Sequence, residues 1–330
     1  YIAKIEPYTF YDCGSLFSVG LPLELRSIGS AAFAKCSQLN EIDFSDTMVT
    51  NVGDFAFYNC SNVREIALCD TIETIGEYAF YGINQVTELV LPNSVRKIGE
   101  RAFGWCTGLE TLVLNEGLEE IGNFAFRNCY KVTALTIPDS VKTIGDYAFY
   151  QCSQISDIKL GSGVEQIGMC AFYGLSEITS LELPTSLQSV GDYAFMECTM
   201  LRSVLIRGEV DYVGKHAFYA CSYMTVYAEY DCEISEQWNV MWNSSYRPVV
   251  WGSSLSEDGY ITSVTIGDNT ISNLHATFGF SGPYREGYKF LGWSKDSNAK
   301  EAEFTVNGIR TAERGTTLYA VWEKTLDTSI

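Results

Sequence analysis

The sequence predicts a β-rich repeat solenoid followed by a small β-rich domain. Three observations carry this reading. An Ile/Val-Gly dipeptide recurs with a fixed period, each unit holds an apolar triplet with strand spacing, and the register stops after Cys221. The dipeptide stands at Ile28-Gly29, Val52-Gly53, Ile75-Gly76, Ile98-Gly99, Ile121-Gly122, Ile144-Gly145, Ile167-Gly168, Val190-Gly191 and Val213-Gly214, in one step of 24 and seven of 23. Periods of about 20–50 residues mark arrays in which each unit buries its core only against its neighbours.

The units are justified in chain order. Ile5 and Thr9-Phe10 hold the places of a degraded opening unit, which makes about ten units in all. Ala-Phe begins four residues after each Ile or Val, from Ala32-Phe33 to Ala217-Phe218. The triplet has the spacing L-x-x-L-x-L, as in Leu109-Leu112-Leu114 and Ile178-Leu181-Leu183. Its last two members sit two apart, which is strand periodicity. Pro92, Pro138 and Pro184 follow such strands and end them.

Eight cysteines (Cys13, Cys36, Cys60, Cys106, Cys129, Cys152, Cys198 and Cys221) fall three residues after the repeat Phe, where two other units hold Ile83 and Leu175. A place shared by Cys, Ile and Leu is an apolar place, so these are expected to be unpaired buried thiols. No C-x-x-C stands in the chain, and no metal is expected. Cys69, Cys170 and Cys232 lie outside this ladder and are left open.

From Val86 to Cys106 the pattern L-x-x-L-x-L-P-x-S-V-x-x-I-G-x-x-A-F-x-x-C resembles the BspA-like class of bacterial leucine-rich repeats, over about residues 1–224. The resemblance implies a curved right-handed leucine-rich-repeat coil with a parallel sheet on its concave side. It also implies a secreted or surface-attached protein that binds other molecules. Residues 225–252 break the period, and Trp238, Trp242 and Trp251 are expected to cap the last coil. The solenoid is thus placed at 1–252 and a linker at 253–259.

Residues 260–330 form the second domain. Short strands are expected at Ile261–Ile266, His275–Phe280, Phe304–Val306 and Leu318–Trp322. Arg285, Gly287, Tyr288, Phe290, Gly292, Trp293, Leu318, Tyr319, Ala320 and Trp322 are similar to the Listeria–Bacteroides repeat motif. That motif implies a β-grasp-like module on bacterial surface proteins. Together the two resemblances imply a secreted or cell-surface protein of a host-associated bacterium. The chain opens on Tyr1 without a basic-then-apolar leader, as expected of a mature fragment or an excised piece.

Composition excludes several functions. There are 22 Lys+Arg against 41 Asp+Glu, a formal net charge of −19, so no nucleic-acid partner is expected. No apolar run of about 18 residues exists, so no membrane insertion is expected. His216 stands where sibling units have Tyr78, Tyr147 and Tyr193, and His275 lies in the other domain. No nucleophile–base set, phosphate loop or metal motif is present, so no enzyme and no cofactor are expected.

The residues flanking the central apolar residue of each triplet point away from the core. They give Glu41/Asp43, Glu65/Ala67, Glu88/Val90, Thr111/Val113, Ala134/Thr136, Asp157/Lys159, Ser180/Glu182 and Ser203/Leu205. An acidic end beside a small apolar patch suits a protein or glycan partner that is basic or neutral. The candidate partner-binding residues are Glu41, Asp43, Glu65, Glu88, Val90, Thr111, Val113, Thr136, Asp157, Lys159 and Glu182. The chain is expected to act as an adhesin through them. The alternatives are a repeat spacer without a ligand, or a carbohydrate-binding module using Tyr and Trp. For the last, Tyr11, Tyr58, Tyr81, Tyr150, Tyr173 and Tyr219 form a stripe after the repeat Phe, with packing between coils as the competing reading.

Overall fold

A computed structural model describes residues 2–228, 238–242, 249–250, 254–255, 261–266, 269–272, 288–303 and 318–324. Among them there is no helix. The chain is a β-solenoid of about ten turns whose backbone stacks coil upon coil.

The Ile/Val-Gly dipeptides build its longest element. Ten two-residue strands, from Lys4–Ile5 to Tyr212–Val213, form one parallel sheet with strands ordered along the chain. Register is set by the repeat: Glu120 lies beside Lys97 and Thr143, and Ile121 beside Ile98 and Ile144. Each Ile or Val of this sheet is buried. The glycine is required by close approach, since a Cβ on Gly122 would meet the Ile98 carbonyl oxygen at 2.6 Å and the Gly99 carbonyl carbon at 2.8 Å.

The following turn carries Ala-Phe and ties each coil to the next. Tyr78, Phe80 and Gly82 donate their N–H groups to the carbonyls of Glu100, Ala102 and Gly104, at 2.8–2.9 Å. The intervening N–H groups close within the turn, as Ala79 does on Gly76 and Tyr81 on Tyr78. This alternation needs two left-handed residues per turn, such as Phe124 (φ 57°) and Asn128 (φ 63°). Gly82 and Gly174 take the second of these places without a Cβ penalty.

The repeat phenylalanines form the axis of the core. From Phe10 to Phe218, successive rings stack with centroids 4.9–5.5 Å apart and planes within 14° of parallel. That spacing is close to the distance between neighbouring strands, so one ring per coil fills the interior. Seven ladder cysteines are buried beside them, and each thiol donates to the Phe carbonyl of an earlier coil: Cys60 to Phe33 at 3.0 Å, Cys152 to Phe126 at 3.2 Å. Cys69 and Cys170, left open by the sequence, are also buried and free. Cys13 is the exception to the expected burial, because it sits in the first coil and is exposed. Cys232 and Trp251 lie outside the described residues.

The triplet strands make a second, interrupted stack. Glu41–Asp43 pairs with Glu65–Ala67, Glu88–Val90 with Thr111–Val113, and Ala134–Thr136 with Asp157–Lys159. A four-stranded parallel ladder then runs through Ser180–Leu183, Ser203–Ile206, Thr225–Ala228 and Val249–Val250. Strand pairing therefore outlasts the sequence repeat. Trp238 and Trp242 are buried at this end. Trp242 meets Phe218 edge-on at 6.3 Å, and Trp238 donates its indole N–H to the Val210 carbonyl at 2.6 Å.

In the C-terminal domain the strand order is Ser254–Leu255, Ile261–Ile266, Asn269–Ser272, Leu318–Lys324, Tyr288–Ser294. Ile261–Ile266 and Leu318–Trp322 were expected strands. His275–Phe280 and Phe304–Val306 lie outside the described residues.

Candidate partner-binding face

Parallel register brings the outward residues of the triplets into two files. Glu41 lies beside Glu65, Glu88 beside Thr111, and Ala134 beside Asp157 in the first. Val90 lies beside Val113, and Thr136 beside Lys159 in the second. Glu41, Asp43, Glu65, Glu88, Thr111, Thr136, Asp157, Lys159 and Glu182 are exposed, and Ala67 and Ser180 are half-buried. Val90 is 46% and Val113 36% exposed, so two aliphatic side chains stand together in water. Ser203 and Leu205 do not point outward as expected. Both are fully buried, because their strand is covered on both faces.

The charges on this face are unevenly held. Asp43 accepts the Ser45 hydroxyl at 2.6 Å and the Ser45 N–H at 2.9 Å, and these bonds hold its carboxyl below the usual range. Glu182 accepts Arg207 Nε at 2.5 Å. Among the described residues Asp157 and Lys159 make no ion pair. Two hollows open between triplets. One of about 350 Å³ is lined by Phe17, Asn40, Glu41, Asn62, Arg64 and Glu65. The other, of about 450 Å³, has Ile158, Leu160 and Leu181 among its walls, with Asp157, Lys159, Ser180 and Glu182 around them. It lies where the backbone pairing is interrupted between Asp157–Lys159 and Ser180–Leu183. Sequence reasoning found neither hollow, since both depend on how far neighbouring strands separate.

Four of the six stripe tyrosines stack between coils, whereas Tyr11 and Tyr219 are exposed. Tyr58 stacks on Tyr81 with centroids 5.4 Å apart, and Tyr150 on Tyr173 at 4.8 Å. His216 occupies the same kind of place, 5.5 Å from Tyr193 and 5.3 Å from Tyr219. Among the described residues no three His, Cys, Asp or Glu side chains gather as metal ligands, and no helix is long and apolar enough to cross a membrane.

The chain is similar to two known families and to several solved structures. The family model for the BspA type leucine rich repeat region matches residues 3–133 and 119–238, in six copies. The Listeria-Bacteroides repeat domain matches residues 256–321. A search among curated proteins gives no match. Among solved structures, a leucine-rich repeat protein from Bacteroides ovatus is 19% identical, covering 68% of this chain and 82% of that one, with a TM-score of 0.45. A leucine rich cell surface protein from Faecalibacterium prausnitzii is 25% identical, covering 73% and 78%, with a TM-score of 0.42. The Leucine Rich Repeat protein of T. pallidum is 27% identical, covering 53% and 71%, with a TM-score of 0.39.

Proposed function

Because the chain belongs to the BspA-type leucine-rich-repeat family, we propose that it is a non-enzymatic interaction protein of a bacterial surface. It binds a protein partner through the outward residues of its triplet strands, and the C-terminal module serves as a spacer or second contact. The observation that carries this reading is the exposed pair Val90 and Val113, side by side in register and flanked by Glu41, Glu65 and Glu88. An aliphatic centre with a charged rim is the anatomy of a protein interface. The acidic rim favours a basic or neutral partner and speeds its approach. The stacked tyrosines speak against the carbohydrate-module alternative, because ring faces engaged with each other do not offer a platform for sugars.

The test is a binding screen of the purified chain against extracellular matrix proteins, mucins and glycans, beside a variant with Val90→Glu and Val113→Glu. The reading expects a protein ligand that the variant loses by about tenfold or more while its melting temperature is unchanged, since both sites are exposed. Binding retained by the variant, or no protein ligand at any salt concentration, contradicts it and favours a spacer.

A further inference from the structure

The turn that carries Ala-Phe holds two files of side chains beside the buried phenylalanines. One file contains the residue before each Ala, as in Tyr78, Arg101 and Phe124; the other contains the residue after each Phe, as in Tyr81, Gly104 and Arg127. Most members are aromatic and stack on the next coil. At the middle of the array the pattern changes: two arginines enter and one side chain is missing.

Each arginine takes the place of a ring. The Arg101 guanidinium carbon lies 4.1 Å from the Phe124 centroid and 5.3 Å from that of Tyr78. The Arg127 carbon lies 5.1 Å from the Tyr150 centroid and 5.6 Å from that of Phe124. Both guanidinium groups thus flank one ring. Between the coils of Tyr81 and Arg127 stands Gly104, where a Cβ would come within 3.1 Å of Tyr81 Cδ2. The second file therefore has no side chain of its own at that step.

The two charges differ in their partners. Arg101 is paired with Glu100. Arg127 has no ion pair among the described residues, and its Nε is buried without a hydrogen-bond partner. In its own unit the residue after Gly122 is Asn123, whereas the units on either side carry Glu100 and Asp146 there. A guanidinium lying on rings spends its faces on them, and with Nε buried it is the terminal N–H groups of Arg127 that can meet a planar acceptor from outside. In a chain of net charge −19, a positive group without an internal carboxylate is open to an external one.

We infer that Arg127, with Arg101 beside it on the ring files around Gly104, binds a carboxylate presented by an acidic side chain of a protein partner. A planar carboxylate matches the guanidinium fork. A polysulfated glycan carries the same sign of charge on every unit and is repelled by the acidic remainder of the molecule. This site lies on a different segment of the coil from the triplet strands, and it does not rest on the function proposed for them.

The experiment measures fluorescence anisotropy of a labelled ten-residue Gly-Ser peptide carrying a single central Glu, and of its Gln counterpart, with the whole chain, at low and near-physiological salt. The expected result is a preference of about tenfold or more for the Glu peptide at low salt, abolished in R127Q and kept in K97Q, whose lysine pairs with Glu120 on the longest sheet. R127K keeps the charge and the stem, and is expected to bind more weakly than the parent because an ammonium makes no two-point contact. A heparin fragment is expected not to displace the Glu peptide. Equal binding of the two peptides overturns the inference. So does R127K matching the parent, a preference surviving in folded R127Q, or displacement by heparin at lower concentrations than by unlabelled Glu peptide.

Discussion

Phe126 sits between Phe103 and Phe149, with ring centroids 5.4 and 5.3 Å away, and is fully buried. Removing its ring leaves a cavity that cannot collapse, because the inter-coil hydrogen bonds on either side fix the spacing. Phe126→Ala is therefore expected to cost about 3–5 kcal/mol, measured as a lower midpoint in urea unfolding. The opposite sign is expected at Gln151. Its φ of 59° is left-handed, and sibling turns place Gly82 and Gly174 there. Gln151→Gly removes that strain at the cost of unfolded-chain freedom, so stability should stay level or rise by up to about 1 kcal/mol in the same assay. A clear loss would mean that the Gln151 side chain contributes packing that outweighs its backbone cost.

At the scale of elements, the buried thiol ladder makes stability depend on alkaline pH. Burial pushes Cys106 and Cys152 up to about 12, against an ordinary value of 9.0, and pushes Cys129 up as well. Below pH 9 both states hold these protons, and the contribution is constant. Between about 9 and 12 the unfolded chain releases protons that the folded chain keeps, so stability falls as pH rises. Tyr81 and Tyr147 are raised by burial and act in the same direction. Replacing Cys106 and Cys152 by Leu, the residue a sibling unit uses as Leu175, should make the fall of melting temperature with pH shallower. An unchanged slope would assign the effect to the groups that remain, Cys129 and the tyrosines.

Much of this element scale is legible in the sequence. The Phe stack and the thiol places are visible because the same residue recurs at one position in unit after unit. The longest sheet is harder to read, because strands of two residues, such as Glu120–Ile121, are too short to show alternation; their dipeptide marks the repeat without declaring a strand. Alternation also misplaced Leu205. It separates the two faces of Ser203–Ile206 but does not reveal that the outer one is buried as well. Likewise, nothing in the repeat itself announces that the first six triplet strands pair in twos. The charge pattern of Glu41, Glu65 and Glu88 was readable, whereas the engagement of Glu182 by Arg207 across 25 positions was not.

For the whole molecule, repetition turns single outward residues into files, and the files are what a partner can read. A rigid stack pays little conformational entropy on binding, which suits a surface of modest chemistry. The excess of 41 acidic over 22 basic residues sets the sign of long-range attraction, and in the proposed reading Val90 with Val113 is the centre that a partner desolvates. The most direct measurement is hydroxyl-radical footprinting of the chain alone and with a partner recovered from the screen. The account predicts that protection centres on the segment from Glu88 to Val113, while the exposed Tyr11 and Tyr219, in the Phe-bearing turns of the first and last units, label as in the free chain. Protection confined to the tyrosine turns, with the Glu88–Val113 segment unchanged, would contradict it.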